Sequence, residues 1–220
     1  MRRVQIFGDS IFKGIWYDES TDRYRLCREK LSADGLEIVN SSKMGSTIEQ
    51  GLERIEKALP GISPGTVAIL EFGGNDCNFN WAEVAERPFS EHDCAVPPQR
   101  FERLYELAVK KLQAAGATVV VSTLPPISSQ KFYEFLSRGL DRQRIMCWLK
   151  DRGRLGLWQR DYSEIARKVA SRTGCAVLDL RKAAKKAGWD RLIGADGLHP
   201  TEEGHILLRR TVEDNLRTMV

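Results

Sequence analysis

Five short apolar runs divide the chain, and a stretch with helical periodicity follows each of them. The runs are VQIF (4–7), LEIVN (36–40), TVAILEF (66–72), ATVVVST (117–123) and CAVLDL (175–180). Continuous apolarity with many β-branched residues is typical of strands that are buried on both faces of a parallel sheet. The pattern therefore predicts an α/β protein, a three-layer α/β/α sandwich around a five-stranded parallel sheet in the flavodoxin-like order 2-1-3-4-5.

Start and stop signals support the helices between these strands. A capping box and a Pro-Gly pair bound the first, helical spacing of apolar residues marks the second, and an Asp-x-x-Glu start with a following glycine marks the third. These signals are Ser46 with Glu49, Pro60-Gly61, Phe101 to Gly116, Asp161 with Glu164, and Gly174.

Two segments are longer than a minimal β-α connection requires. Residues 77–98 follow the third predicted strand and residues 125–160 follow the fourth. Both leave the end of the sheet where α/β proteins build their sites. We expect residues 1–220 to form a single domain with these two segments inserted at its active-site end.

Charge and cysteine content restrict the class of protein. With 34 Lys and Arg against 30 Asp and Glu, the net charge of +4 gives no reason to expect a nucleic-acid partner. The five cysteines are odd in number and scattered, which argues against a disulfide framework or a zinc site. The N-terminus has no secretory-signal pattern and no apolar run has membrane-spanning length, so we expect a cytoplasmic protein without membrane insertion.

Polar clusters follow the predicted strands where a parallel sheet places its ligand crevice. They are Gly8-Asp9-Ser10, a loop that ends in Gly45, Gly73-Gly74-Asn75-Asp76 and Asp196-Gly197-Leu198-His199. If the sheet is assigned correctly, all four share one rim.

Together these clusters supply the groups that acyl transfer needs. Ser10 is a hydroxyl nucleophile, His199 an imidazole base, and Asp196 a carboxylate that fixes the imidazole tautomer. The backbone N–H groups of Ser10 and Gly45 and the Asn75 amide are available to donate to an oxyanion. Each cluster alone is an ordinary turn or cap, but four at the correct strand ends favour a catalytic site.

The four motifs, Gly-Asp-Ser-Ile at 8–11, Gly45, Gly-Gly-Asn-Asp at 73–76 and Asp-Gly-Leu-His at 196–199, together resemble the SGNH subgroup of the GDSL esterases and lipases. They occur in family order across nearly the whole chain, with Ile11 in place of leucine. The resemblance implies an ester hydrolase of flavodoxin-like fold with Ser10 as nucleophile, His199 as base, Asp196 as its partner, and Gly45 and Asn75 as oxyanion donors. It also implies that no metal or organic cofactor is used.

The substrate is less well defined. We expect a small-molecule ester with a short acyl group, with acetylated carbohydrate first, because the inserted segments are rich in polar and aromatic residues. The candidate substrate-binding residues are Asn78, Trp81, Trp148 and Trp158. Packing of an inserted helical hairpin on the domain is an equally good interpretation of the tryptophans.

Other functions stay open. Seven basic residues lie between Arg138 and Arg160, and we call this stretch the basic segment. One interpretation is a solvated helix face. The other is that the segment attracts the anionic acyl substrate of a lysophospholipase or thioesterase. A nucleotide-binding site at EFGGN (71–75) and a non-catalytic module with the same fold are further alternatives. We interpret Asp9 and Asp76 as loop-bracing residues. The sequence does not indicate an oligomeric state.

Overall fold

The computed structural model describes residues 2–219 and contains a five-stranded parallel sheet and a separate two-stranded antiparallel sheet. The strands are β1 (Arg2–Gly8), β2 (Ile15–Asp18), β3 (Arg23–Leu26), β4 (Leu36–Asn40), β5 (Val67–Glu71), β6 (Thr118–Ser122) and β7 (Ala176–Leu178). The parallel sheet has the order β4-β1-β5-β6-β7. In terms of its own five strands this is 2-1-3-4-5, so the predicted topology is confirmed.

The described chain contains nine α-helices. They are α1 (Ser10–Lys13), α2 (Ile48–Ala58), α3 (Trp81–Glu86), α4 (Pro98–Ala114), α5 (Ser129–Leu136), α6 (Arg142–Leu149), α7 (Gly153–Thr173), α8 (Leu180–Lys186) and α9 (Glu202–Met219). Helices α2, α4 and α7 cover one face of the parallel sheet, and α8 and α9 cover the other. The three predicted layers are therefore present.

Neighbouring strand residues pack into different cores because successive side chains point to opposite faces of a sheet. Phe7 and Leu70 pack under α2, α4 and α7, whereas Ile6 and Ile69 pack under α8 and α9. All four are at most 1% exposed. Burial on both faces explains why these strands are continuously apolar in the sequence, and each such side chain contributes about 1.5–3 kcal/mol of burial free energy.

The inserted segments pack mainly against each other. Helix α3 belongs to the first segment, and α5, α6 and the start of α7 belong to the second. They share an aromatic and aliphatic core of their own around Trp81, Ile145 and Leu149. The two segments that form this third core follow the carboxyl ends of β5 and β6 in the chain.

Three local predictions were wrong, and one element was missed. The antiparallel hairpin of β2 and β3 was not predicted, because its strands have only four residues each and the apolar alternation is short. Helix α2 is capped by Thr47, with Gln50 Oε1 accepting from the Thr47 N–H at 3.3 Å, and not by Ser46 with Glu49. The remaining two corrections concern β7 and α7.

The fifth predicted strand is shorter than the run 175–180. Asp179 leaves the strand and caps α8, because its Oδ1 accepts from the Lys182 N–H at 3.0 Å. Helix α7 starts at Gly153, so the expected start at Asp161 lies inside it, although it ends at the predicted Gly174, whose φ is 69°.

Candidate active site

Ser10 is the first residue of α1, a single helical turn that follows β1 directly. The side chain of Asp9 caps this turn, with Oδ1 accepting from the Ile11 N–H at 2.9 Å, and Gly14 ends it in a left-handed conformation. Gly8 has to be small, because a Cβ there would lie 3.1 Å from Glu71 Oε2 and 3.2 Å from the Glu71 carbonyl oxygen. The result is a serine at the end of a buried strand, with its side chain directed into the crevice and only 5% exposed.

Asp196 and His199 lie on one tight loop before α9. The Asp196 Oδ1 accepts from the N–H groups of Leu198 and His199, both at 3.0 Å, and Oδ2 lies 2.6 Å from His199 Nδ1. Gly197 has a φ of 71°, which favours glycine. The loop thus orients its own imidazole, and both side chains are at most 3% exposed.

The fold joins this loop to α1 across 189 residues of sequence. His199 Nε2 lies 2.9 Å from Ser10 Oγ, so Asp196, His199 and Ser10 form one chain of hydrogen bonds. With the Nδ1–H tautomer donating to Asp196, the Nε2 lone pair can accept the serine proton. The arrangement can therefore activate the hydroxyl as a nucleophile.

Gly45 lies in the loop after β4, and this loop continues along the end of β1. The N–H groups of Ser41 and Lys43 donate to the carbonyls of Ile6 and Gly8 at 2.8 and 3.1 Å. Two residues later Gly45 turns with a φ of 75°, and its N–H makes no hydrogen bond within residues 2–219. The N–H of Ser10, as the first of α1, also has no partner within the helix.

Asn75 lies between these two donors. Its Nδ2 donates to Asp9 Oδ2 at 3.0 Å and to the Ser46 carbonyl at 3.1 Å. These two contacts join the loops that carry Ser10, Gly45 and Asn75. The structure therefore brings all five sequence-predicted catalytic and oxyanion residues together.

Behind Asn75 are two further buried carboxyl groups, those of Glu71 and Asp76. Asp76 Oδ1 accepts from the Ile48 N–H at 2.8 Å, which braces the start of α2, and the hydrogen bonds of Asp9 brace α1 and Asn75 in the same way. Burial raises the pKa of Asp76 to about 7, and burial together with the charge of Asp9 raises the pKa of Glu71 well above its usual value. Glu71 was not recognised from the sequence, although a lone charge in the apolar run TVAILEF was an available signal.

A pocket of about 20 Å³ opens beside Ser10. Asp9, Glu71 and Asn75 line it on the polar side. The other lining residues are mostly apolar and come mainly from α1 and from the loops after β5 and β6. They are Ile11, Gly74, Leu124, Pro125, Ile127, Gln159 and Leu198. A larger groove of about 690 Å³ runs between the loop after β3 and α9, and neither Ser10 nor His199 lines it. Of these two cavities, the small one adjoins the Ser10 hydroxyl.

The unpredicted hairpin forms part of the site. The ring of Tyr24 packs edge-on against the His199 imidazole, with ring centroids 5.1 Å apart. Tyr17 of the same hairpin contacts Phe135 of α5 at 5.0 Å and accepts from Arg138 Nη1 at 2.8 Å. Burial and the charge of Asp196 raise the pKa of Tyr24 to about 12. The hairpin is thus attached to the second inserted segment and packs against the imidazole.

The candidate substrate-binding residues lie in the third core. Trp81 Nε1 donates to Asn78 Oδ1 at 2.9 Å, and the rings of Trp81, Trp148 and Trp158 surround Phe79 at 4.9–5.7 Å. Trp81 is only 8% exposed, whereas Trp148 and Trp158 are partly exposed. None of the four predicted residues lines the small pocket, and their binding role stays a prediction.

Several guanidinium groups of the basic segment donate hydrogen bonds to backbone carbonyls of the protein itself. Arg144 donates to the carbonyls of Ala85 and Glu86, and Arg154 donates to the Leu149 carbonyl at 3.1 Å. These contacts attach the two inserted segments to each other and cap α6. They do not favour an anionic substrate.

The two other histidines contact backbone carbonyls. His205 of α9 makes a 2.8 Å hydrogen bond with the Ile15 carbonyl, and His92 makes one of 2.9 Å with the Arg87 carbonyl. Among residues 2–219, no helix combines the length and apolarity that a bilayer crossing requires.

Comparisons with known proteins identify the family and the fold of this chain. The family model described as the GDSL-like lipase/acylhydrolase family matches residues 6–207. A lipase/acylhydrolase from Enterococcus faecalis superposes with a TM-score of 0.64 at 20% identity, over 100% of this chain and 97% of that one. No curated protein matches.

Two further solved structures have the same fold. The esterase EstA from Pseudoalteromonas sp., in a structure inhibited by monoethylphosphonate, superposes with a TM-score of 0.59 at 18% identity, over 100% of this chain and 98% of that one. The acetyl xylan esterase AlAXEase gives 0.60 at 19% identity, over 97% and 99% of the two chains. Because the family model spans most of the sequence, the chain belongs to the GDSL-like lipase/acylhydrolase family.

Proposed function

We propose that this protein is a serine hydrolase that cleaves carboxylic esters with short acyl groups through an acyl-enzyme on Ser10. The observation that carries the proposal is the continuous hydrogen-bond chain from Asp196 Oδ2 through His199 to Ser10 Oγ, with distances of 2.6 and 2.9 Å. A serine hydroxyl becomes a useful nucleophile when a neighbouring base can take its proton, and here that base is already in hydrogen-bond contact.

Each residue then has a defined step. His199 Nε2 takes the Ser10 proton as Oγ attacks the ester carbonyl, and it returns that proton to the leaving alcohol. Asp196 stabilises the imidazolium that forms in between. Water, deprotonated by the same Nε2, then hydrolyses the acyl-enzyme and restores the Ser10 hydroxyl.

The oxyanion that forms in both steps needs donors. The N–H groups of Ser10 and Gly45 meet this need without giving up a protein hydrogen bond, since neither has a partner in the described chain. Asn75 is the third donor. To donate to the oxyanion, its amide must give up its hydrogen bond to Asp9 or the one to Ser46. Loss of one such donor typically lowers kcat about 100- to 1,000-fold.

The size of the pocket supports a short acyl group. A space of about 20 Å³ next to Ser10, bordered by Leu124, Ile127 and Leu198, suits a small group such as an acetyl methyl. We propose acetylated carbohydrate as the first substrate class to test, with the partly exposed Trp148 and Trp158 near the alcohol side. The acetyl xylan esterase among the structural neighbours agrees with that choice.

Labelling with a fluorophosphonate, followed by peptide mass spectrometry, tests the nucleophile without assuming a substrate. We expect the wild-type protein to be labelled at Ser10, and Ser10→Ala to give no label. His199→Ala should react at least about 100-fold more slowly, whereas His92→Ala should react like the wild type. Labelling of another residue, or equal losses in both histidine variants, contradicts the proposal.

A second assay addresses the acyl group. Hydrolysis of p-nitrophenyl esters from acetate to decanoate should show the highest kcat/KM for acetate, and acetylated sugars should release acetate. A preference for decanoate over acetate would contradict the short-acyl assignment but leave the nucleophile untouched.

A further inference from the structure

The carboxyl group of Glu71 is completely buried directly behind the proposed oxyanion site, and the mechanism above does not use it. Its Oε2 lies 3.4 Å from the backbone nitrogen of Asp9, its carboxyl group interacts with that of Asp9, and its Oε1 has no hydrogen-bond partner among residues 2–219. Glu71 is 0% exposed. A buried carboxylate with so few donors is costly unless it is protonated.

The donors around the two carboxyl groups decide which of them carries the proton. Asp9 accepts from the Ile11 N–H at 2.9 Å and from Asn75 Nδ2 at 3.0 Å, and both contacts favour an ionised carboxylate. Within the described part of the chain, the Glu71 carboxyl group receives a single N–H donor, that of Asp9 at 3.4 Å. The shared proton therefore belongs on Glu71, which then donates it to the ionised Asp9.

The sheet register fixes this arrangement. Gly8 pairs with Glu71 in the parallel ladder, and the absence of a side chain at Gly8 leaves the space that the Glu71 carboxyl group occupies. Glu71 thus lies on a rigid strand under the turn that carries Asp9 and Ser10.

We propose that Glu71 is a positioning residue for ester hydrolysis: as a neutral carboxylic acid it donates a hydrogen bond to Asp9, which in turn aligns the Asn75 amide at the oxyanion site. The inference rests on the proposed function, and it states in addition that the reaction requires Glu71 to be protonated.

The charge of Glu71 matters because Glu71 and Ser10 line the same small pocket. An oxyanion formed on the substrate already faces the negative charge of Asp9. A second negative charge on Glu71 would repel the oxyanion in a site of low dielectric constant, and it would also repel Asp9 from its contact with Asn75. Ionisation of Glu71 should therefore slow the chemical step without affecting substrate binding.

Other titratable groups border Glu71, and they set the conditions of the test. Asp9 approaches from the start of α1, Asp76 from the loop after β5, and Tyr105 from α4, while His199 acts on Asp9. The charges of Asp9 and Asp76 both disfavour ionisation of Glu71. Because the pKa of Glu71 is raised by its burial and by these charges, it ionises only as the pH rises, and the loss of activity should appear on the alkaline side.

The experiment compares Glu71→Gln, Glu71→Ala and the exposed-residue control Glu37→Gln in pH profiles of kcat and KM for p-nitrophenyl acetate, with thermal unfolding recorded in parallel. A glutamine is always neutral and can still donate to Asp9. We expect Glu71→Gln to retain kcat within about threefold of the wild type at pH 7, but to lack the alkaline decline of the wild type. Glu71→Ala should lower kcat about 10- to 100-fold with little change in KM, as for a weakened oxyanion donor, and Glu37→Gln should follow the wild type.

Two results would overturn the inference. One is a wild-type alkaline decline that persists unchanged in Glu71→Gln, and the other is a folded Glu71→Gln protein that is as slow at pH 7 as Glu71→Ala. If Glu71→Ala does not fold, the pH profiles of Glu71→Gln and the wild type decide alone. Fluorophosphonate labelling of wild-type Ser10 keeps this test separate, because absent labelling refutes the proposed function itself.

Discussion

Gly197 connects the Asp196–His199 loop to α5, and its replacement by alanine tests whether the second inserted segment positions the catalytic loop. The Gly197 carbonyl accepts from the Ser128 N–H at 2.8 Å at the start of α5. A Cβ at position 197 would overlap the Phe132 amide nitrogen and lie 2.7 Å from the Ser128 carbonyl oxygen and 2.8 Å from the Lys131 carbonyl carbon. These are backbone atoms, so no side-chain rotation can relieve the overlap.

Two contributions add up in Gly197→Ala. An L-residue held at a φ of 71° costs about 1–2 kcal/mol. The overlap with α5 requires the loop or the helix to move by about 1 Å, and overpacking of this kind costs about 1–3 kcal/mol more. We therefore expect a loss of about 2–5 kcal/mol in the free energy of unfolding. For a domain of this size, each kcal/mol lowers Tm by about 2–4 °C.

The same displacement should reduce activity. The His199 imidazole is 2.9 Å from Ser10 Oγ, and a misplacement of about 1 Å lowers the rate of an aligned reaction about 100-fold. We expect kcat/KM of Gly197→Ala to fall by about that factor, measured with p-nitrophenyl acetate, with urea unfolding giving the stability.

Gly174→Ala is the matched control. Gly174 has nearly the same φ, 69°, at the end of α7, but a Cβ there meets nothing within 4 Å. It should lose only the backbone contribution of about 1–2 kcal/mol and keep wild-type activity. If Gly197→Ala were as stable and as active as Gly174→Ala, the contact with α5 would not position the Asp196–His199 loop.

Three further variants test other parts of the structure. Tyr24→Ala should lower kcat/KM about 2- to 13-fold by removing the ring that packs on His199, whereas Tyr24→Phe should keep it; equal losses in both would assign the effect to the hydroxyl. Burial lowers the pKa of His205 to about 4, so the unfolded chain binds a proton before the folded one does, and the free energy of unfolding should fall by up to about 3 kcal/mol as the pH drops from about 6.5 to 4. His205→Gln should flatten this dependence in urea unfolding at a series of pH values, and an unchanged slope would exclude His205 as its cause. Gly51→Ala should lose about 1–3 kcal/mol, because its Cβ would overlap the fully buried ring of Phe72, and Phe72→Leu in the same chain should restore part of that loss; no recovery would place the strain elsewhere.

The parallel sheet could be predicted because its central strands, β1, β5 and β6, are buried on both faces. A run such as TVAILEF has to be apolar whichever way each side chain points, and that requirement is visible in the sequence without knowledge of the neighbours. The hairpin of β2 and β3 escaped prediction for the opposite reason. Its four-residue strands are partly exposed, and they are held by contacts with α5 and α9 that are distant in sequence.

The proposed catalytic residues were predictable as types and positions, but their alignment was not. Ser10, Asn75 and His199 each follow a strand or precede a helix at one end of the sheet, so the order of elements alone indicates a common rim. The hydrogen bonds of Asn75 to Asp9 and Ser46 depend on how three loops meet. No local pattern encodes them.

The amino-acid sequence by itself determined the strand order, the end of the sheet where the chemistry lies and the side chains that can perform it, because periodicity and turn residues act over short distances along the chain. Only the tertiary structure decided that Tyr24 packs on His199, that the tryptophans lie in a third core and do not line the small pocket, and that Glu71 is buried beside Asp9. Those features depend on side chains far apart in sequence excluding water from one another, and the environment that sets a carboxyl group's protonation exists only after the chain has folded.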